Sequence, residues 1–298
     1  MRSKTLVSTE QLLQHLNDPD WIVFDCRFTL TNTTAGRSAY QQGHIPAACY
    51  VHLDEDMSSA VTPTSGRHPL PDIQVFADKL SQWGVDKNKQ VVVYDDSFGS
   101  MAVKMWWLLR WLGHDNVALL DGNWQKWVKQ KYPVTTELPS IIPAHFVANV
   151  RDELLVDTAE VDFARRERCS VLIDARPEQR FAGEREPLDK VAGHIPGAIN
   201  WVFEENLDFD GTYLPADELK DAYLKLMHGL KPNQVIHTCG SGVTACHNML
   251  AMEIAGLPGS KLYAGSWSEW ITDPSRSVAT GEGHEHRKHL SDEPLNCA

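Results

Sequence analysis

Short apolar runs separated by helical patterns dominate the hydrophobic signal of this chain. Two helical patterns lie over 75–83 and 216–227, and Ser8 with Gln11 and Asp157 with Glu160 have the spacing of N-terminal capping boxes. The apolar runs are continuous, as in strands buried on both faces of a parallel sheet. They are WIVFD, QVVVYD and VALLD in the first half, and VLIDA, QVIHT and KLYAG in the second. Together these patterns predict an α/β fold in which helices flank a parallel sheet.

The same order of segments occurs twice along the chain. The segment from Val7 to Arg27 reappears 149 positions later, from Val156 to Arg176. GHIPAA at 43–48 reappears as GHIPGA at 193–198, and LLDGNWQKW at 119–127 reappears as LYAGSWSEW at 262–270. Matched segments in one order indicate a duplicated domain.

Proline content and the duplication together predict the domain boundaries. Prolines at 133, 139 and 143 mark 134–150 as a linker. We therefore predict a first domain over 1–133, a second domain over 151–281 and a tail over 282–298. The tail holds a histidine-rich segment, 283–290, which we interpret as a solvated end rather than a metal site. A length of 298 residues suits two domains.

Composition narrows the possible partners and the compartment. The net charge of −12 argues against a nucleic-acid partner, because binding to phosphates needs clustered Lys and Arg. The most apolar stretch, 101–112, carries Lys104 and Arg110 and is too short to span a bilayer, and the N-terminus lacks a signal-peptide core. The cysteines are scattered and form no CxxC pair, which favours free thiols in a reducing compartment. We expect a cytoplasmic protein without a membrane partner, and nothing in the sequence implies a cofactor or a metal.

Cys239 has the surroundings of a reactive cysteine. It follows the strand pattern QVIHT and begins the loop CGSGVTA, after which a helical pattern continues. Gly240 and Gly242 allow consecutive N–H groups to curl around one point, and the helix adds its positive end there. Such a cradle should lower the pKa of the thiol and would also stabilise a persulfide anion. The alternative, a buried structural cysteine beside a glycine turn, does not account for the paired glycines and the following helix.

These motifs resemble the tandem rhodanese family over nearly the whole chain. The resemblance rests on CGSGVTA, the paired GHIPxA segments and GSWSEW. It implies two tandem rhodanese-like domains, each a parallel sheet flanked by helices. It also implies a sulfurtransferase that carries sulfur as a persulfide. Within the family, CGSGVT is similar to the 3-mercaptopyruvate type, whereas the thiosulfate type is expected to carry basic residues directly after the cysteine. The implied acceptor is cyanide, a small thiol or a thioredoxin-like protein.

The two halves also serve as an internal control on the site. Cys239 aligns with Asp95 or Asp96, so the first domain should be catalytically silent, and Arg180 aligns with Thr31. Asp25 and Arg27 recur as Asp174 and Arg176, which favours a structural pair. The predicted catalytic residues are Cys239, Ser241 and His44, and the predicted substrate-binding residues are Arg180, Arg185, Gly240, Gly242, Val243 and Thr244.

The resemblance implies a role for each of the main candidates. Cys239 attacks the donor sulfur, Ser241 donates to the developing enolate with His44 behind it, and Arg180 binds the donor carboxylate as a fork. The eukaryotic members have a second arginine nine residues after the first, but Asp189 stands there, so Arg185 is the candidate replacement. No acidic residue occurs between Asp25 and His44, so the family's Ser–His–Asp relay would be truncated, and thiosulfate stays open as the donor.

The sequence argues against three other classes of protein. A cysteine phosphatase needs an arginine six residues after the cysteine, and Ala245 occupies that position. A zinc site built from residues around Cys239 lacks metal-ligand spacing. A non-catalytic interaction module would be expected to have lost the cysteine loop, which is intact here.

Overall fold

The computed structural model of this chain describes residues 2–282. The predicted tail therefore lies outside the described residues except for Glu282, and so does its histidine-rich segment. The described chain forms two compact units. The first comprises the chain up to Ser59, Leu70–Arg151 and Asp208–Tyr213. The second comprises Ala60–Pro69, Asp152–Leu207 and the chain from Leu214 onward.

The first unit is a five-stranded parallel sheet with helices around it. Its elements are β1 (Leu6–Val7), α1 (Thr9–Gln14), β2 (Trp21–Asp25), α2 (Ala35–Gln42), β3 (Ala48–Tyr50), α3 (Ile73–Gln82), β4 (Gln90–Tyr94), α4 (Ala102–Trp111), β5 (Val117–Leu120) and α5 (Asn123–Lys129). The strand order is β1-β5-β4-β2-β3, and every pairing is parallel. In the register, Asp25 at the end of β2 lies opposite Tyr94 at the end of β4.

The second unit repeats this architecture. Its elements are β6 (Leu155–Val156), α6 (Thr158–Glu167), β7 (Val171–Asp174), α7 (Glu178–Phe181), β8 (Ala198–Asn200), α8 (Ala216–Met227), β9 (Val235–Thr238), α9 (Ala245–Ile254), β10 (Lys261–Tyr263) and α10 (Ser266–Trp270), with short 3-10 turns at Asp152–Leu154, Phe203–Asn206 and Pro232–Gln234. The strand order β6-β10-β9-β7-β8 is that of the first unit. The predicted α/β fold of two tandem parallel sheets is confirmed.

Both sheets are buried, as their uninterrupted apolar strands predict. The core of the first unit contains Val23, Val92, Ala118 and Trp127, and the core of the second contains Leu172, Phe181, Ile236, Trp267 and Trp270. The helix starts also follow the sequence. Ser8 accepts a hydrogen bond from the N–H of Gln11, and Asp157 and Glu160 form a full capping box.

The segment predicted as a linker packs on the first unit. The N–H groups of Ala144 and Phe146 donate to the carbonyl and hydroxyl oxygens of Ser81, and that of Asn149 donates to the carbonyl of Leu112. These bonds satisfy backbone groups that a proline-rich segment cannot pair with itself.

An aspartate–arginine pair closes the end of a central strand in each unit. Asp25 binds Arg27 after β2, and Asp174 binds Arg176 after β7, and all four side chains are buried. The guanidinium also donates to the carbonyl of Gly43 in the first unit and to that of Gly193 in the second. The pair thus ties the strand end to the GHIP segment, which is the structural role predicted from its recurrence.

The helices of residues 2–282 were compared with the length and hydropathy that a membrane-spanning helix needs. None of the helices there is long and apolar enough to cross a bilayer.

Candidate active site

Cys239 is the first residue after β9, at the carboxyl edge of the second sheet. Parallel α/β folds place ligands at this edge. The backbone around Cys239 is fixed by α10: its N–H donates to the Oγ of Ser266 at 3.1 Å, and its carbonyl accepts from the N–H of Trp267 at 3.0 Å. The side chain is 2% exposed. Cys239 is therefore held in one position by the start of the neighbouring helix.

The surroundings of Cys239 favour its thiolate. Burial raises the pKa of the thiol, but three donors oppose it and hold the pKa below its ordinary value. These donors are the hydroxyl of Thr244 and the backbone N–H groups of Ser241 and Ala245. Ala245 begins α9, so the positive end of that helix lies at the sulfur. The cradle predicted from the glycine-rich loop is therefore present, and hydrogen bonds to the sulfur make it effective.

The two glycines of the loop, Gly240 and Gly242, are required for different physical reasons. Gly242 has φ +71°, and a Cβ there would collide with the carbonyl of Ala264. Gly240 has φ outside the left-handed region, so the expectation that its backbone freedom matters is wrong. A Cβ on Gly240 would lie 2.8 Å from Nη2 of Arg67 and 3.5 Å from Nη2 of Arg180. Glycine at 240 leaves space for two guanidinium groups.

Ser241 is paired with a histidine that is not among the predicted site residues. Its Oγ lies 2.7 Å from Nδ1 of His68, and the two residues are each 5% exposed. His68 belongs to Ala60–Pro69, a segment of the second unit. A buried hydroxyl bonded to an imidazole can pass a proton to or from a reacting group.

His44 has a structural position instead. Its ring is buried, stacks on Tyr40 at 3.8 Å, and lies with Nδ1 2.8 Å from the carbonyl of Tyr40 and Nε2 3.1 Å from that of Glu137. His194 does the same in the second unit: it stacks on Phe181 and bonds to the Phe181 carbonyl. Because both ring nitrogens of His44 are engaged by backbone oxygens, the prediction that it stands behind Ser241 is corrected: that histidine is His68.

Arg180 lies at the cradle, but carboxylates already hold it. Its Nε and Nη2 face Glu186 at 3.1 and 2.9 Å, and Nη2 also binds Asp189 at 3.0 Å. Burial raises the pKa of Glu186, but Arg180 and the N–H of Leu188 outweigh it, so the pKa is lowered. The predicted bidentate fork of Arg180 is therefore occupied, and only Nη1 faces Gly240 without such a partner, 3.6 Å from the Cβ position.

Of the remaining predicted substrate-binding residues, one lies at the sulfur and two do not. Thr244 lies at the sulfur through its hydroxyl, as described above. Val243 is a buried core residue, 4% exposed, whose carbonyl accepts from the N–H of Cys246. Arg185 has an exposed side chain, so it does not occupy the place expected for the second arginine. Arg67 instead lies beside the cysteine loop: its Nη2 approaches Gly240 and its Nη1 binds Asp189.

Arg67 and His68 were not predicted, because the comparison of the two halves was used only to select residues unique to the second half. The same comparison offers a signal in the first half, where a residue without a counterpart in the second half is a candidate for the site. The Leu–Pro pair at 70–71 before α3 reappears at 214–215 before α8, which places Gly211 opposite Arg67 and Thr212 opposite His68. The motif GRHPL is thus unique to one half, as Cys239 is.

The first unit shows what replaces the cysteine. The residue after β4 is Asp95, and its carbonyl accepts from the N–H of Trp124 at 3.1 Å, as that of Cys239 does from Trp267. Asp95, not Asp96, is therefore the counterpart of Cys239. Its carboxylate accepts hydrogen bonds from the N–H groups of Ser97, Gly99, Met101 and Ala102.

A comparison with known families agrees with the fold. The model of the rhodanese-like domain matches residues 8–130 and 158–273. This chain therefore belongs to the rhodanese-like domain family, and the predicted tandem duplication is confirmed.

The similar proteins are named for two different sulfur donors, 3-mercaptopyruvate and thiosulfate. The chain is 45% identical over 284 residues to a probable 3-mercaptopyruvate sulfurtransferase from Pseudomonas aeruginosa, covering 95% of this chain and 100% of the relative. It is 32% identical over 290 residues to the thiosulfate sulfurtransferase of Rattus norvegicus, covering 94% and 96%. The solved 3-mercaptopyruvate sulfurtransferase from Leishmania major matches with a TM-score of 0.79 and 28% identity, covering 90% of this chain and 74% of that one.

Proposed function

We propose that this chain is a sulfurtransferase that takes sulfur from 3-mercaptopyruvate onto Cys239, releases pyruvate and passes the sulfur to a thiophilic acceptor. The observation that carries the proposal is the cradle, in which a buried cysteine has its pKa lowered by donors aimed at the sulfur. That arrangement stabilises a thiolate before the reaction and a persulfide anion after it. The identity of 45% to the relative from Pseudomonas aeruginosa supports this donor.

The first half-reaction is a displacement at sulfur. The Cys239 thiolate attacks the sulfur of 3-mercaptopyruvate, a sulfur–sulfur bond forms and the carbon–sulfur bond breaks. The electron pair of the broken bond stays on carbon and gives the enolate of pyruvate, which takes a proton to become pyruvate. We assign this proton delivery to Ser241 and His68, because the hydroxyl and the imidazole are in contact at 2.7 Å.

The second half-reaction returns the enzyme to its starting state. The acceptor attacks the outer sulfur of the persulfide, the sulfur–sulfur bond breaks, and the Cys239 thiolate leaves. We propose cyanide, a small thiol or a reduced thioredoxin-like protein as acceptors. The two steps make the reaction ping-pong covalent catalysis. Arg180 contributes positive charge beside the donor through Nη1, the part of its guanidinium not held by Glu186 and Asp189.

Thiosulfate is the alternative donor, and the 32% identity to the thiosulfate sulfurtransferase of Rattus norvegicus supports testing it. The described cysteines are free thiols, which fits our proposal of a reducing compartment such as the cytoplasm.

The test is thiocyanate formation from cyanide with each donor in turn, in the wild type, in Cys239→Ser and in Cys169→Ser. Cys169 lies in the same unit and is partly exposed, so its substitution is the matched control. We expect a higher kcat/KM for 3-mercaptopyruvate, loss of at least about 1,000-fold in Cys239→Ser and no loss in Cys169→Ser. Preference for thiosulfate would overturn the donor, and turnover surviving in Cys239→Ser would overturn the mechanism.

A further inference from the structure

The two cradles differ in how firmly their anion joins the loop to the helix that follows it. In the first unit both carboxylate oxygens of Asp95 accept backbone N–H groups, two from the loop and two from the start of α4, namely those of Ser97, Gly99, Met101 and Ala102. Cys239 offers one sulfur atom, which accepts hydrogen bonds more weakly than oxygen does. The sulfur therefore holds α9 less firmly than Asp95 holds α4, and other contacts of α9 have to fix its first turn.

Buried amide groups of the second unit form those contacts. Nε1 of Trp201 donates to Oδ1 of Asn206 at 3.0 Å, Nδ2 of Asn206 donates to Oδ1 of Asn248 at 2.7 Å, and Nδ2 of Asn248 donates to the carbonyl of Trp201 at 3.0 Å. The hydroxyl of Tyr223 in α8 donates to the same Oδ1 of Asn206 at 2.9 Å. Asn206, Asn248 and Tyr223 are fully buried. This closed ring of hydrogen bonds ties the first turn of α9 to the 3-10 turn that ends at Asn206.

The orientation of the Asn206 amide also fixes the tautomer of His247. The indole N–H of Trp201 is a donor only, so the side of Asn206 that faces it must be the oxygen. Nδ2 of Asn206 then faces Nδ1 of His247 at 3.2 Å, and that ring nitrogen must be the acceptor, which puts the ring proton on Nε2. His247 is fully buried, with its ring edge-on to that of Phe203 at 5.2 Å. Asn206 thus binds two consecutive residues of α9.

The residues that Asn206 binds follow closely on the donors to the Cys239 sulfur. Those donors include the hydroxyl of Thr244 and the N–H of Ala245, the first residue of α9. The N–H of His247 donates to the carbonyl of Thr244 at 3.0 Å, which joins the loop to the first turn of the helix. A change in the place of this turn would therefore change the distances from the donors to the sulfur.

The comparison of the two halves singles out the same residues of α9. Counted from the first residue of each helix, His247 and Asn248 correspond to Lys104 and Met105 of α4. Met105 has no amide and cannot take the part of Asn248 in a ring of hydrogen bonds. Residues confined to the half that carries the reactive cysteine are candidates for a role in the reaction, as Cys239 itself is.

We propose that Asn206 is a positioning residue for sulfur transfer, which fixes the first turn of α9 through His247 and Asn248 and so keeps the donors of the cradle at the sulfur of Cys239. The inference rests on the proposed function and deepens it, since it adds a residue that acts on Cys239 only through α9. An amide suits this position because its oxygen accepts from donors on one side while its N–H groups reach the helix on the other.

The experiment compares Asn206→Leu with Tyr223→Phe. Asn206→Leu removes both bonds to α9 at nearly the same volume, whereas Tyr223→Phe removes one bond to the same amide and leaves the bonds to α9 in place. We expect kcat with 3-mercaptopyruvate to fall about fivefold in Asn206→Leu with KM within about twofold, because the donors at the sulfur are displaced. Tyr223→Phe should keep kcat within about twofold, although both variants lower the melting temperature.

The thiol of Cys239 supplies a readout that a loss of stability alone would not move. We expect alkylation of Cys239 by iodoacetamide, followed by peptide mass spectrometry, to slow about threefold at neutral pH in Asn206→Leu, because weaker donors raise the pKa of the thiol. The alkylation curve should accordingly lie about half a pH unit higher than that of the wild type. Asn248→Leu, which removes one of the two bonds, is the second variant if Asn206→Leu does not fold, and its curve should shift in the same direction.

The outcomes separate this inference from the function on which it rests. If the wild type uses neither donor, the proposed function fails, and a role in sulfur transfer fails with it. If the wild type turns over 3-mercaptopyruvate while the folded variants keep its kcat and its alkylation curve, the inference alone is wrong. Equal shifts of the curve in Tyr223→Phe and Asn206→Leu would also overturn it, since the effect would then follow stability and not the bonds to α9.

Discussion

The loops that follow β4 and β9 have the same backbone design and hold different anions. Each begins directly after a central strand and leads into a buried helix, and the carbonyl of its first residue accepts from the N–H of a tryptophan in the helix that follows the adjacent strand. In the first unit the loop N–H groups converge on the carboxylate of Asp95. In the second unit they converge on the sulfur of Cys239. The difference teaches that the duplicated fold supplies an anion cradle, and that one side chain decides what the cradle does.

The balance of forces also differs between the two loops. Burial raises the pKa of Asp95, and its backbone donors only partly offset this effect. For Cys239 the donors outweigh burial, and the pKa is lowered. Cys49 in the first unit shows what burial does without donors, because burial raises the pKa of its thiol to about 12. Donors at the sulfur, not the degree of burial, separate the reactive cysteine from the inert one.

The largest effect is expected when Asp95, the anion held by the first loop, is replaced, and it falls on the stability of the first unit. Asp95→Ala leaves buried N–H groups without an acceptor and should lower the free energy of unfolding by about 3 kcal/mol. Asp95→Asn should cost less, because its amide oxygen still accepts. Asp96→Asn is the matched control, since the neighbouring side chain is exposed. Urea unfolding measures all three. A cost for Asp96→Asn equal to that for Asp95→Ala would contradict the assignment.

The next effect concerns the two histidines. We expect His68→Gln to lower kcat about 30-fold with 3-mercaptopyruvate, because Ser241 loses its imidazole partner. His44→Gln should leave kcat nearly unchanged and lower the free energy of unfolding by about 2 kcal/mol, since the stack on Tyr40 and the polar contacts of the ring with backbone carbonyls are lost. Steady-state kinetics and urea unfolding distinguish these results. The reverse pattern would restore His44 to the site.

The smallest effect concerns the thiolate itself. Thr244→Val removes the hydroxyl that donates to Cys239, so the pKa of the thiol should rise and alkylation by iodoacetamide at neutral pH should slow about tenfold. In both proteins the rate rises with pH as the thiolate forms, and the curve for the variant lies at higher pH. Thr238→Val is the control, because its buried hydroxyl has no hydrogen-bond partner within the described chain. Equal curves for wild type and Thr244→Val would refute the donor role.

Much of the fold could be predicted from the sequence because its signals are local. The pattern WIVFD coincides with β2, and the helical pattern over 216–227 coincides with α8. The strands β1, β3, β6 and β8 were not predicted; each is two or three residues long and is held by pairing with a neighbouring strand. The predicted cap pairs and the Asp–Arg pairs recur because each is set by residues close in sequence.

The site was only partly predictable for the opposite reason. Cys239 and Thr244 lie in one short loop that leads into α9, so their spacing in the sequence was enough to predict that they lie close together. Arg67 and His68 come from a segment far away in the chain, and only the packing of the second unit brings them to Gly240 and Ser241. The ion pairs of Arg180 with Glu186 and Asp189 could not be predicted either, because residue types alone do not show which edge of a guanidinium is occupied.

The central claim is that the second cradle alone carries the transferred sulfur, on Cys239. The direct measurement is peptide mass spectrometry of the protein after reaction with 3-mercaptopyruvate without an acceptor. We predict the added mass of one sulfur atom on the peptide that contains Cys239, its loss on addition of cyanide, and no added mass in Cys239→Ser. Sulfur on Cys26 or Cys49 of the first unit, or added sulfur persisting in Cys239→Ser, would contradict the account.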